Sequence, residues 1–211
     1  MRDHGGNLDE AIATFGGDSG RWIDLSTGIN RQPYPLPLLE PDAWTDLPTQ
    51  AARARLLSVA AQAYGTRAAV IPVAGAQAAI QLIPRLDRPG KAQVLAPTYN
   101  EHAAALRLMG WDVIEVQAIE DLGGADLAVV VNPNNPDGAV YAPDDLLRVA
   151  GKVDRLVVDE SFMDATPDES LASHGDREGL LVLRSFGKFY GLAGLRLGFV
   201  IGYGDDVAAL D

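Results

Sequence analysis

Seven short apolar runs punctuate the chain, at 70–73, 93–96, 112–116, 127–131, 156–158, 180–183 and 197–201. Several are apolar at consecutive positions, as in Leu127-Ala128-Val129-Val130-Val131 and Leu180-Leu181-Val182-Leu183. Runs of this kind belong to strands covered on both faces, the situation in a mostly parallel sheet. Helical patterns fall at 49–64, 76–85, 100–109 and 143–150, and Gly65, Gly110 and Gly151 close three of them. Glycine just past a helix stops it, because it takes positive φ without strain. The alternation of strands and helices predicts a three-layer α/β/α domain over 49–211. Residues 1–48 differ: 28–44 is proline-rich and irregular, which predicts an N-terminal arm. No internal repeat or low-complexity tract interrupts the pattern.

Composition narrows the function classes. An apolar fraction of 47% is ample for a folded core, and a net charge of -12 argues against a nucleic-acid partner. With no cysteine there is no disulfide, no thiolate metal site and no cysteine nucleophile, and no metal is expected. The first ten residues lack the apolar stretch of a signal peptide, and no apolar run approaches the ~18 residues of a membrane span. The expectation is a cytoplasmic protein without a membrane partner.

In such sheets ligands bind beyond the carboxyl ends of the strands, so the residues following each run carry the chemistry. Here they read Gly75-Ala76-Gln77, Pro97-Thr98-Tyr99, Asn132 through Gly138, Asp159-Glu160-Ser161-Phe162, and Arg184-Ser185-Phe186-Gly187-Lys188. A phosphate-cradling turn, an aromatic ring, an amide, a carboxylate and a lysine are the groups a pyridoxal-phosphate (PLP) site needs. Glu160 is expected to be structural, because neighbours on a strand point to opposite faces.

Three of these segments resemble known motifs. Ser185-Phe186-Gly187-Lys188, continuing through Gly191 and Gly194 to Arg196 and Gly198, resembles the lysine segment of fold-type-I PLP enzymes, the aminotransferase class I/II superfamily. Asn135-Pro136-Asp137-Gly138 is similar to their Asn-Pro-x-Gly turn, and Asp159-Glu160-Ser161-Phe162 to their Asp-Glu-Ala-Tyr segment. The motifs stand in the right order across about 70–202. The resemblance implies the large domain of a PLP-dependent transferase-like fold, with PLP as cofactor. Lys188 then carries the cofactor, and its amine must lose a proton to attack an aldehyde, which burial favours. Asp159 faces the pyridine nitrogen. Arg196, Ser185 and the Gly75-Ala76-Gln77 turn hold the phosphate, through a planar cation and backbone N–H groups. Asn135 binds the phenolic oxygen, and Tyr99 stacks on the ring.

The reaction is narrowed by further likenesses. His4-Gly5-Gly6-Asn7, 24–30 and Leu183-Arg184-Ser185 resemble the threonine-phosphate decarboxylases of cobalamin biosynthesis. These remove CO₂ from O-phospho-L-threonine to give (R)-1-aminopropan-2-yl phosphate. Phe162 stands where most aminotransferases of the group have tyrosine, and Leu47-Pro48 about where many relatives have Tyr-Pro. The resemblance implies a phosphorylated amino acid as substrate, with His4, Gly28 and Asn30 at its end of the site, and a homodimer. It also implies a small domain beyond Asp211, carrying the arginine for the substrate carboxylate; on that reading 49–211 is an incomplete large domain. Two alternatives remain: an aminotransferase of the histidinol-phosphate type, and an inactive fragment or non-enzymatic binding protein.

Overall fold

The computed structural model describes residues 5–211, so His4 lies outside the described residues. All seven expected strands form: β1 Ala69–Val73, β2 Lys91–Leu95, β3 Asp112–Val116, β4 Leu127–Val131, β5 Arg155–Asp159, β6 Leu180–Ser185 and β7 Gly198–Gly202. They make one sheet in the order β1-β7-β6-β5-β4-β2-β3. Five neighbouring strands, β6 to β3, run parallel, while β7 is antiparallel to both β6 and β1. Consequently β2, β4, β5 and β6 all end on the same side, and the segments leaving them converge there.

The helices follow the sequence pattern closely. In chain order they are α1 Leu8–Phe15, α2 Asp42–Thr45, α3 Gln50–Ala63, α4 Ala76–Leu82, α5 Glu101–Leu108, α6 Pro143–Ala150 and α7 Gly204–Ala208. Thr49 caps α3, accepting from Ala52 N at 3.1 Å. The helix expected over 76–85 changes to a tighter 3₁₀ turn at Ile83–Arg85, where Pro84 has no N–H to continue the ladder. The arm is less irregular than its prolines suggest. It holds α1, whose cap Asn7 accepts from Glu10 N, and the short α2.

Alternation along the strands sorts the core into two layers. Ile71, Val94, Val129, Val157, Leu181, Leu183 and Val200 face one side, packing against Ala79 and Ile80 of α4 and Leu106 of α5. Val70, Val130, Val158, Leu180, Val182, Phe199 and Ile201 face the other, against Ala60 of α3 and Leu146 and Val149 of α6. The edge strand β3 is instead largely exposed, at Asp112, Ile114 and Glu115, and its two carboxylates discourage pairing with another sheet edge. Gly198 lets β7 approach the start of α4, because a Cβ there would lie 2.8 Å from Ala76 N.

A buried ionic cluster joins the functional ends of β5 and β6 on the second face. Arg184, 2% exposed, donates through Nη1 to Glu160 Oε2 at 2.9 Å and through Nη2 to Asp164 Oδ1 at 2.6 Å. Ser170 Oγ and Leu171 N also donate to Glu160, at 2.6 and 2.7 Å. The guanidinium lies 4.5 Å from the centre of the Tyr64 ring at the end of α3. Glu160 is thus structural, as its position beside Asp159 on the opposite face requires. Arg184→Ala strands two buried carboxylates and is expected to lower stability by about 3–5 kcal/mol. By contrast, Arg107→Ala at the exposed pair with Glu115 should cost no more than about 1 kcal/mol. Urea unfolding of both variants checks the contrast; equal losses would contradict it.

Candidate active site

Asp159 ends β5 and is 3% exposed. His102, on α5 and equally buried, donates from Nε2 to Asp159 Oδ2 at 2.8 Å. Ser161 adds two bonds to Oδ1, from Oγ at 2.6 Å and from its backbone N at 3.0 Å. Burial alone would push this carboxyl up; the His102 bond and charge, with the Ser161 bonds, pull it below its ordinary value. The group is therefore a fixed anion at neutral pH.

Lys188 sits in the loop leaving β6, and both it and Asp159 line one cleft of about 440 Å³. Burial lowers the pKa of its amine, with Asp159 opposing the shift. Its Nζ lies 5.7 Å from the centre of the Phe162 ring. A lysine so placed is more readily unprotonated, and more nucleophilic, than one in water.

One end of the same cleft is lined by Gly75, Ala76, Ser185 and Arg196. Gly75, at φ 76°, precedes α4 and turns the chain so that the first backbone N–H groups are free of helical partners. A Cβ on Gly75 would lie 3.0 Å from Arg196 Nη2, so the missing side chain is what opens space between turn and guanidinium. Arg196 holds left-handed backbone geometry at φ 52°, which costs a non-glycine residue roughly 1–2 kcal/mol. Its Nη1 donates to Ala193 O at 3.0 Å, orienting the fork. Ser185 completes this end and accepts Gly187 N at 3.2 Å. The Gln77 amide is committed elsewhere, donating to Glu101 at 2.9 Å and accepting from Tyr99 Oη at 3.2 Å.

Two adjacent asparagines divide the work of the β4 exit. Asn134 is a clamp: it accepts from Thr98 Oγ1 at 2.7 Å and donates to Pro97 O at 2.9 Å and Asp137 Oδ1 at 2.8 Å. It thereby ties the turn bearing Asn135 to the segment bearing Tyr99. Asn135 is exposed and lines the cleft.

The structure brings together Gly75, Ala76, Gln77, Tyr99, Asn135, Asp159, Ser185, Lys188 and Arg196 on one cleft. Gly28 and Asn30 are not among its lining residues; Ile29 between them is. Gly28 packs under Phe162, where a Cβ would lie 2.9 Å from the ring, and the Asn30 side chain binds the lysine loop at Phe189 O. The Asn30 amide is thus engaged at both ends, by Phe189 O and by Gln32 N. His102, Ser161, Glu101 and Ile29 escaped the sequence reading. Ser161 was signalled by its place two residues after a carboxylate, a spacing at which a hydroxyl reaches back.

A folded pKa held below the unfolded value gives stability that is present above the unfolded pKa and lost as pH falls through the folded one. Asp159 is such a group. His102→Ala removes its main partner and is expected to cost roughly 1–3 kcal/mol at pH 7. The deficit should shrink as the pH falls and the carboxyl protonates. Asp159 is held below 3.8, so the window lies below that pH. Urea midpoints at pH 7 and pH 3 test this; a deficit that does not shrink would contradict it.

Comparison with known proteins places this geometry. Residues 39–210 match the model of the family described as aminotransferase class I and II. The chain is 47% identical over 209 residues to a threonine-phosphate decarboxylase of Pseudomonas aeruginosa, covering 96% of this chain and 62% of the relative. A second threonine-phosphate decarboxylase, from a Sinorhizobium species, is 44% identical over 206 residues, with 94% and 62% covered. The chain thus spans 62% of the length of these curated relatives. Among solved structures, an L-threonine-O-3-phosphate decarboxylase of Porphyromonas gingivalis superposes with a TM-score of 0.70 at 23% identity, over 80% of this chain and 57% of that one. That likeness is one of fold. Matched across most of its length by the family model, the chain belongs to the aminotransferase class I and II family.

Proposed function

We propose that this chain forms the cofactor-binding part of a PLP-dependent lyase that decarboxylates O-phospho-L-threonine, acting in the cytoplasm as a homodimer in cobalamin biosynthesis. The observation that carries the reading is the single cleft with a depressed lysine, a buried carboxylate and an anion cradle on its walls. The names and identities of the relatives support the choice of substrate.

The residues present fit the cofactor on their own chemistry. The cradle opened by Gly75 and facing Arg196 suits a phosphate, and Asp159 suits a protonated ring nitrogen. Tyr99 would cover a ring face, and Asn135 would donate to the phenolic oxygen. When bound, PLP supplies an electron sink for the pair released as a bond to the substrate Cα breaks. Asp159 would favour a proton on the ring nitrogen, and its bonds from His102 and Ser161 favour its charged form. Lys188 would hold the cofactor through its amine, and its place on the cleft wall would let the same amine, when protonated, deliver a proton to the substrate Cα. Phe162, beside that amine, excludes water without offering a hydroxyl.

The test is a product assay on the full-length enzyme loaded with PLP. O-phospho-L-threonine should yield CO₂ and aminopropan-2-yl phosphate at a rate independent of any keto acid. Turnover that appears only when a keto acid is supplied, with no CO₂ released, would make the enzyme an aminotransferase instead.

A further inference from the structure

We infer that Asn30 is a positioning residue for Lys188, and that residues 28–34 of the arm form a strap that fixes the lysine loop. The inference rests on the reading of Lys188 as the cofactor lysine. Between β6 and the 3₁₀ turn at Ala193–Leu195 the chain has no regular structure, so residues 186–192 need other partners. Within the loop, Gly191 N donates to Lys188 O at 3.1 Å and Leu192 N to Phe186 O at 3.2 Å. The arm supplies further bonds. Asn30 N donates to Lys188 O at 3.0 Å, and Tyr34 N donates to Tyr190 O at 2.8 Å. The Asn30 side chain donates from Nδ2 to Phe189 O at 2.9 Å, while its Oδ1 accepts Gln32 N at 2.9 Å. The amide is thus oriented at both ends, toward its own segment and toward the loop.

The close approach is built into both partners. Gly191 stands at φ 66°, and a Cβ there would lie 2.6 Å from Asn30 O and 2.9 Å from Pro33 Cα. No larger residue fits without pushing the strap away. At the near end, Gly28 lets the arm sit on Phe162, whose ring is the neighbour of the Lys188 amine. The strap therefore holds the loop backbone at Lys188, Phe189 and Tyr190 and backs the ring beside the amine. Asn30 acts through Lys188, not on substrate.

The experiment uses the full-length protein with PLP and the variants Asn30→Ala, Asn30→Asp and Gly191→Ala. Asn30 is exposed, so its variants should fold, and unfolding midpoints confirm it. The visible absorbance of the lysine-linked cofactor is followed against pH, together with kcat and KM for O-phospho-L-threonine. With Asn30→Ala the pH midpoint of the band should move and kcat should fall by roughly two- to tenfold, the scale of one lost hydrogen bond. KM should change less than kcat. Asn30→Asp should do at least as much, since a carboxylate cannot donate to Phe189 O. Gly191→Ala, which alters no group aimed at the cleft, should shift the band in the same direction. An unchanged band and kcat with a raised KM in Asn30→Ala would overturn the inference and make Asn30 a substrate contact. If the wild-type protein forms no lysine-linked band, the cofactor reading itself fails, and the inference with it.

Discussion

A carboxylate almost wholly removed from water keeps its charge only if its surroundings replace the lost hydration. Asp159 meets that condition through His102 on one oxygen and Ser161 on the other. The requirement reaches far into the fold. His102 must arrive from α5, so α5 has to lie against β2 and β3, which it does by burying Ala103, Ala105 and Leu106. Ser161 must turn back just beyond β5, which the Asp159 carboxylate itself promotes by accepting its N–H. A protonated or displaced Asp159 would leave Glu101, which is engaged by Gln77, as the other carboxylate on the cleft wall.

The remaining groups are placed by the ends of parallel strands. Parallel pairing makes β2, β4, β5 and β6 finish on one side, and each exit contributes one group: Tyr99, Asn135, Asp159 and Lys188. Pairs of exits are then fastened together away from the cleft. Asn134 joins the β2 and β4 exits, and Arg184 joins β5 and β6 through Glu160 and Asp164. The Arg184 fastening leaves the cleft side open because Glu160 and Arg184 face away from Asp159.

How much of this was legible varies with the range of the interaction. The strands were readable because Leu127 to Val131 and Leu180 to Leu183 are apolar at every position, as double burial demands. Their ends were not: β5 runs on to Asp159 and β6 to Ser185, where polar residues break the apolar run although the backbone ladder continues. The direction of β7 had a faint signal, since the stretch from 186 to 197 lacks the helix a parallel crossover needs. That Gly75, Asp159, Ser185 and Lys188 share one cleft was readable because each stands at or within a few residues of a strand end. His102 was not, because its partner lies 57 positions away and a histidine near an apolar helix face gives no sign of what it meets. Asn30 drew notice as a site residue, but its close packing against Gly191 depends on a contact 161 positions away and gave no sign in the sequence.

The account stands on the identity of one amine. The chain has two other lysines, Lys91 and Lys152, at the far ends of strands and turns from the cleft lining. Incubating the protein with PLP, reducing with borohydride and mapping the added pyridoxyl mass by peptide mass spectrometry reads that identity directly. The mass should fall on the peptide containing Lys188 and vanish in Lys188→Ala. Label that stays on Lys91 or Lys152 in the variant, at the wild-type level, would contradict the assignment of the cleft.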